Sequence, residues 1–287
     1  MGPPVACGFA RRDPLLPSHS TATSLMKTFI QAAAIMSLLA AAPLVAAEND
    51  GRIYEMRVYY AAPGKLDELN ARYRDHTVKL FEKHGITNVA YLTPIDNKEN
   101  KLIYFVSYPS FEARKASWDA FFKDPDWLKA RADSEKDGKL LTKVENLFLQ
   151  TTDYSPALKI DAVGNRVFEL RTYLMTPGNL PAINERFRSH TMKLFEKHGM
   201  TNLIYWNMTT DQPSAKTELK PDNTLVYLLA HKSQEAGLAS FGAFRQDPEW
   251  LKVRGASEEK AGGSLTLPQA GGVQSIYCTP TDYSPLK

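Results

Sequence analysis

The chain has 287 residues, 43% of them hydrophobic and 23% charged, with a formal net charge of +3. That length and balance suit two ordinary domains and argue against wholesale disorder. The charge is too small to suggest a nucleic-acid partner, and the two cysteines, Cys7 and Cys278, offer no disulfide framework.

Residues 1–25 have no periodicity and read as a mis-assigned start. Residues 26–47 run from a basic start at Lys27 through an apolar stretch to Ala46-Ala47, the layout of a bacterial secretory signal peptide cleaved after Ala47. The expected location is periplasmic or secreted. The apolar run is broken by Gln31, Ser37 and Pro43 and is shorter than a spanning helix needs, so no stable membrane anchor is expected after cleavage. Cleavage would also remove Arg11, Arg12, Lys27 and Asp13, leaving the chain near neutral, and Cys7, leaving Cys278 alone in an alternating strand pattern that reads as core.

Ile53 to Tyr60 alternates and reads as a strand, ended by Pro63-Gly64. The period then becomes helical, with Leu66, Leu69, Tyr73, His76 and Leu80 on one stripe and Gly85 as the stop. Asn88–Thr93 and Leu102–Tyr108 form a hairpin about a polar turn. Ser110 caps a helix through Phe122, Asp124-Pro125 caps another, and Val144–Gln150 is the last strand. The order is βαββαβ, the ferredoxin-like unit.

The unit then repeats. Arg52-Ile-Tyr-Glu-Met-Arg returns as Arg166-Val-Phe-Glu-Leu-Arg, and His76-Thr-Val-Lys-Leu-Phe-Glu-Lys-His-Gly as His190-Thr-Met-Lys-Leu-Phe-Glu-Lys-His-Gly, at a constant offset of 114 residues. Asp124-Pro-Asp-Trp and Asp247-Pro-Glu-Trp follow, and Thr-Asp-Tyr-Ser-Pro closes each copy from Thr152 and from Thr281. The organisation is a first domain at 48–152, a linker at 153–165 and a second domain at 166–287. Helices cover one face of each sheet, so the open faces need a partner. The expected class is α+β: two tandem ferredoxin-like domains packing sheet to sheet as a pseudo-dimeric α/β barrel.

These motifs, taken in order and twice over, resemble the NIPSNAP family. The resemblance implies a dimeric α/β-barrel form of the ferredoxin-like fold. It implies little about activity: family members are mostly uncharacterised, and eukaryotic ones are linked to mitochondria and protein partners. Wider relatives of the fold include cofactor-free monooxygenases and haem enzymes, an analogy of fold alone.

Glu55, Arg57 and Tyr59, with their counterparts Glu169, Arg171 and Tyr173, are the residues of most interest. If Tyr54, Met56 and Val58 face the helices, these six point into the seam between the repeats. There they would form either a closed set of ion pairs or the polar end of an apolar pocket. In the second reading Arg57 and Arg171 hold an anionic or carbonyl oxygen, Tyr59, Tyr173, Tyr91 and Tyr205 line the ligand, and Glu55 or Glu169 accepts a proton. His76 and His190 sit on a stripe otherwise apolar, where a satisfied, at least half-buried histidine is the plainer reading and an acid–base role the sharper one. His84 and His198 read as helix-terminal residues, and Trp127 and Trp250 as core. No close ligand spacing exists for a metal, and no cofactor is expected, haem through one histidine being the alternative. Three functions follow: a binder of a small, partly apolar ligand in the barrel; a cofactor-independent oxygenase or isomerase acting on a carbonyl or aromatic compound; or a protein-interaction module with a filled barrel. Pairing of two copies through their outer surfaces is left open.

Overall fold

The computed structural model describes residues 50–287 apart from 165, 269 and 270. The signal segment and the stretch before it lie outside the described residues. The first repeat runs β1 (Ile53–Ala61), α1 (Leu66–Arg72), a π-helical turn (Tyr73–Thr77), α2 (Val78–Lys83), β2 (Thr87–Pro94), β3 (Lys101–Tyr108), α3 (Phe111–Phe121), α4 (Pro125–Ser134) and β4 (Leu141–Thr151). The second runs β5 (Val167–Leu174), α5 (Leu180–Arg186), a π turn (Phe187–Thr191), α6 (Met192–Lys197), β6 (Thr201–Met208), β7 (Thr224–His231), α7 (Gln234–Gln246), α8 (Pro248–Lys260) and β8 (Val273–Pro280). The expected order holds in both copies.

Local chemistry sets the boundaries. The Ser110 and Ser233 hydroxyls accept from the backbone N–H three residues on, at 3.2 and 3.1 Å, and Asp124 and Asp247 do the same two residues on, with proline following as the first helical residue.

The eight strands close into one barrel in the order β1-β3-β2-β8-β5-β7-β6-β4, so the repeats share a continuous hydrogen-bonded wall. They meet where β2 pairs with β8 (Leu92 opposite Pro280) and where β4 pairs with β6 (Leu149 opposite Met208). Closure leaves no bare sheet edge. Each copy's Thr-Asp-Tyr-Ser segment also reaches across to the other copy. Tyr283 stacks on Tyr73 with ring centroids 6.3 Å apart and Asp282 pairs in two-pronged fashion with Arg74, while Tyr154 packs on Tyr205 and Asp153 pairs with Arg188. The long β6–β7 connection does likewise: Gln212 caps the Phe148 backbone at 2.9 and 2.8 Å, and Lys216 pairs with Asn146 on β4.

The interior of the barrel is a single apolar cluster. Tyr54, Met56 and Val58 from β1 meet Phe105, Phe168, Trp206 and Leu228, with Trp206 stacked on Phe105 at 5.0 Å. Cys278 is buried in it, and burial pushes its thiol up to about 12. Two further clusters lie outside the barrel wall, each between one sheet and its own helices.

This overturns one orientation expected from the sequence. Tyr54, Met56 and Val58 face the seam and not the helices, so Glu55, Arg57 and Tyr59 lie under the helices, as do Glu169, Arg171 and Tyr173. The physical reason is supply of partners. The seam is filled by apolar side chains, whereas the outer face supplies donors: Arg114 from α3 and Asn146 from β4 for Glu55, His231 from β7 and Ser275 from β8 for Glu169.

Candidate functional site

Each trio is built on one strand face; the first is completed by Arg114 from α3, the second by His231 and Ser275 from the neighbouring strands β7 and β8. Glu55 is fully buried. It accepts from Arg57 Nη1 at 2.5 Å, from Arg114 Nε at 2.8 Å and Nη2 at 3.0 Å, from the Tyr108 hydroxyl at 3.1 Å and from Asn146 Nδ2 at 2.9 Å. Burial alone would raise its pKa, but the charges and hydrogen bonds of Arg57 and Arg114 outweigh burial and hold it below the usual carboxylate range. Glu169 accepts from Arg171 Nη1 at 2.5 Å and the Ser275 hydroxyl at 2.5 Å, and its other oxygen meets His231 Nε2 at 2.9 Å. Its pKa is also lowered: His231, Arg171 and Ser275 overcome the effect of burial. Glu55 thus ties α3 to the sheet through Arg114, whereas Glu169 ties β5 to β7 and β8, and both carboxylates have their oxygens occupied by protein donors.

The strand positions continue outward. Arg57 Nη2 donates to the Tyr59 hydroxyl at 3.2 Å, and its guanidinium lies 4.8 Å from the Trp118 ring centroid. Tyr59 meets Tyr104 at 5.1 Å and Tyr73 at 6.1 Å between ring centroids. Burial would raise the Tyr59 phenol, but the Arg57 charge and the neighbouring Tyr104 and Tyr73 hydroxyls prevail and lower it, while Tyr73 and Tyr104, buried with it, are raised. Three phenols around one guanidinium thus leave Tyr59 as the acidic one. Between this cluster and the helices is a cavity of about 450 Å³ lined by Tyr59, Arg72, Tyr73, Trp118, Phe121 and Trp127, with Lys216 of the second repeat at its lip.

The second repeat has the same frame with different furniture. Phe187 stands where the first has Tyr73, Phe241 where it has Trp118, His231 where it has Tyr108, and Gly237 where it has Arg114. A Cβ on Gly237 would lie 2.8 Å from the Tyr277 ring, so Tyr277 occupies the space that Arg114 uses in the first copy.

The remaining sequence candidates separate clearly. Tyr91 and Tyr205 face the helix layer, stacked on Tyr104 and Tyr227 at 5.3 and 5.0 Å, and their hydroxyls bond to Asn88 and Asn202. A bulge at Asn88/Ala90, matched at Asn202/Ile204, brings those pairs onto one face. All six expected ligand-lining residues therefore lie outside the barrel. His76 and His190 are exposed, not half-buried. The π turn inserts a residue into the helical stripe, so Thr77 and Thr191 take the inward position and donate to the carbonyls of Arg72 and Arg186, both at 3.1 Å. His84 and His198 end their helices and bond Asp124 and Asp247 at 2.6 and 2.7 Å. The residue that sequence reasoning missed is Arg114, and Tyr73, placed only on the apolar helical stripe, belongs to the same cluster. Among the described residues no cluster of three or more His, Cys, Asp or Glu could hold a metal ion, and no helix is long and apolar enough to cross a membrane.

A tandem α+β barrel, closed by two ferredoxin-like halves and carrying its polar clusters under the helices, is the class defined by this geometry. The chain belongs to the NIPSNAP family, whose model matches residues 54–156 and again 168–285. No functionally curated protein matches it. Among solved structures, it is similar to a NIPSNAP family protein of unknown function from Agrobacterium tumefaciens, at 21% identity over 37% of this chain and 92% of that one, with a TM-score of 0.33. It is also similar to a proposed monooxygenase from Fusobacterium nucleatum, at 11% identity over 80% and 92% of the two chains with a TM-score of 0.49. An anthrone oxidase-like protein matches at 12% identity over 82% and 94%, with a TM-score of 0.47.

Proposed function

We propose that the protein binds a small, partly aromatic molecule in the first repeat, in the cavity between its sheet and its helices and not in the barrel. The observation that carries this reading is the cavity of about 450 Å³ opening onto Tyr59, whose phenol is backed by the part-buried Arg57. Trp118, Trp127 and Phe121 supply flat apolar walls, and Tyr59 supplies one polar contact that can donate or accept. The barrel interior, packed with Phe105, Trp206 and Phe168, serves cohesion.

The test is a titration with 6-bromo-2-naphthol, followed by quenching of tryptophan fluorescence. Tyr59→Phe should weaken binding about three- to tenfold, the worth of one buried neutral hydrogen bond. Val144→Trp, which fills the cavity from β4, should abolish it. Equal affinity in both variants, or no binding by the wild type, would overturn the reading.

A second reading is favoured by the lowered Tyr59 phenol. Arg57, 3.2 Å from the Tyr59 oxygen, favours the ionised form of that phenol, and it is in that form that Tyr59 takes a proton from a carbon beside a carbonyl group, general-base chemistry without a cofactor. Deuterium exchange at the activated methylene of 2-tetralone in D₂O, read by NMR, should be accelerated by the wild type and not by Tyr59→Phe. Equal exchange in the two would remove the base. Export is proposed with either reading, on the pattern of Met26–Ala47 alone; N-terminal sequencing of the mature chain should begin at Glu48.

A further inference from the structure

Arg72 and Arg186 occupy equivalent positions at the ends of α1 and α5, and the difference between them marks a second site. Both are buried, at 5% and 7% exposure, and each guanidinium lies over an indole: Arg72 at 5.3 Å from Trp127, Arg186 at 5.0 Å from Trp250. In the first repeat Arg72 Nη1 donates to Glu135 Oε1 at 2.9 Å and to the Ser134 hydroxyl at 3.3 Å. The second repeat keeps both partners in sequence, as Glu258 and Ser257. Glu135 bridges Arg72 and Arg131, the latter at 3.3 Å; in the second repeat Ser257 still accepts from Arg186 Nη1 at 3.2 Å, but Glu258 keeps only the Arg254 side of that bridge, at 3.2 Å. Among the described residues Arg186 has no carboxylate partner.

A buried guanidinium with no carboxylate in direct contact is costly, and it does not shed its proton near neutral pH. Burial pulls Arg186 below its ordinary range, whereas the tyrosines beside Arg57 and Arg171, together with Glu55 and Glu169, raise those two despite burial. Beside Arg186 a groove of about 820 Å³ runs between the α5–α6 helix and α8. Its walls include Pro181, Ala182, Val253 and Ala256, with Lys252 and Lys260 also lining it. Of the groove's own carboxylates, Glu185 is engaged by Arg188 and the Ser189 hydroxyl, and Glu249 is exposed, 3.8 Å from Lys197. Helix α8 buries none of its residues, whereas its counterpart α4 buries Trp127 and Ala130.

We propose that this groove binds an amphipathic carboxylate, whose head takes on Arg186 the place that Glu135 takes on Arg72 and whose apolar body lies along Ala182, Val253 and Ala256. The site is independent of the cavity at Tyr59. It carries an apolar wall, a desolvated cation and basic residues around them, the combination that selects a charged head joined to a hydrocarbon or ring.

Calorimetric titration of the full chain with octanoate and with 1-octanol tests this. Octanoate should bind at least about tenfold more tightly than the alcohol, since only it can form the charge-assisted bond. Arg186→Gln should reduce octanoate to the level of octanol, and Arg186→Lys should fall between. Arg254→Gln should weaken octanoate, because it releases Glu258 to compete for Arg186, while Glu258→Gln should keep or tighten binding. Equal affinities for acid and alcohol in the wild type would overturn the proposal without recourse to any variant. So would an Arg186→Gln protein, folded by circular dichroism, that binds octanoate as the wild type does, or a wild type that binds neither probe.

Discussion

Replacing Glu55 by Gln removes one negative charge from a site where two guanidiniums converge, and the structure lets the consequence be sized. Glu55 has no exposed side-chain surface, and Arg57 and Arg114 are 13% and 15% exposed, so water cannot replace the missing charge. Breaking a buried pair on one side costs about 3–5 kcal/mol, most of it the stranding of the surviving charges. For a domain of this size each kcal/mol lowers Tm by about 2–4 °C, so a fall of roughly 6–20 °C is expected. Glu169→Gln should cost less, because Glu169 faces a single guanidinium, a histidine and a hydroxyl. Urea unfolding near neutral pH, followed by both far-UV circular dichroism and tryptophan fluorescence, gives the two free energies. Replacing Glu55, Arg57 and Arg114 together by Met, Leu and Met should recover much of the loss, since no charge is then left unpaired. A Glu55→Gln cost below about 1 kcal/mol, typical of an exposed pair, would refute the reasoning. So would a cost that does not exceed that of Glu169→Gln.

Other outcomes follow from the same geometry. The Glu55 and Glu169 carboxyls are depressed in the folded state, so their stabilisation is present above the ordinary carboxylate pKa of about 4.3 and is lost as pH falls through the folded values; wild-type stability should drop on acidification below that point, and the drop should be shallower in Glu55→Gln. Tyr283→Ala removes the ring that stacks on Tyr73 and tilts against Tyr91, together with the bond to Asn70, and should cost about 2–4 kcal/mol in the same urea assay. Gly237→Ala forces a methyl group against Tyr277 and His231 and should destabilise by about 1–3 kcal/mol. Cys278, buried in the barrel with its thiol raised, should be inert to a thiol-reactive disulfide reagent until the protein is unfolded.

The architecture was legible because duplication printed every boundary signal twice: the serine and Asp-Pro caps, the glycine stops and the βαββαβ order all recur, and a sheet with one covered face must find a second sheet. The orientation of β1 was not legible. Both faces of Ile53–Ala61 are buried, so alternation alone gives two self-consistent assignments, and only the partners delivered by α3 and β4, Arg114 and Asn146, decide between them. The position of His76 was hidden for another reason. A π turn adds one residue to a helix without a composition signature, and everything in that turn shifts relative to a stripe counted at 3.6. The contrast between Arg72 and Arg186 was beyond reach as well, because the sequence keeps the glutamate in both copies and only the side-chain conformation tells whether it bridges two arginines, as Glu135 does, or holds one, as Glu258 does.

The most direct test of the central claim, that the functional cavity lies beneath the helices of the first repeat and the barrel is a packed core, is to locate a bound probe. Crystals soaked in 6-bromo-2-naphthol should show an anomalous bromine peak among Tyr59, Trp118 and Trp127. A peak inside the barrel beside Phe105 and Trp206, or none anywhere in that helix-covered cavity, would contradict it.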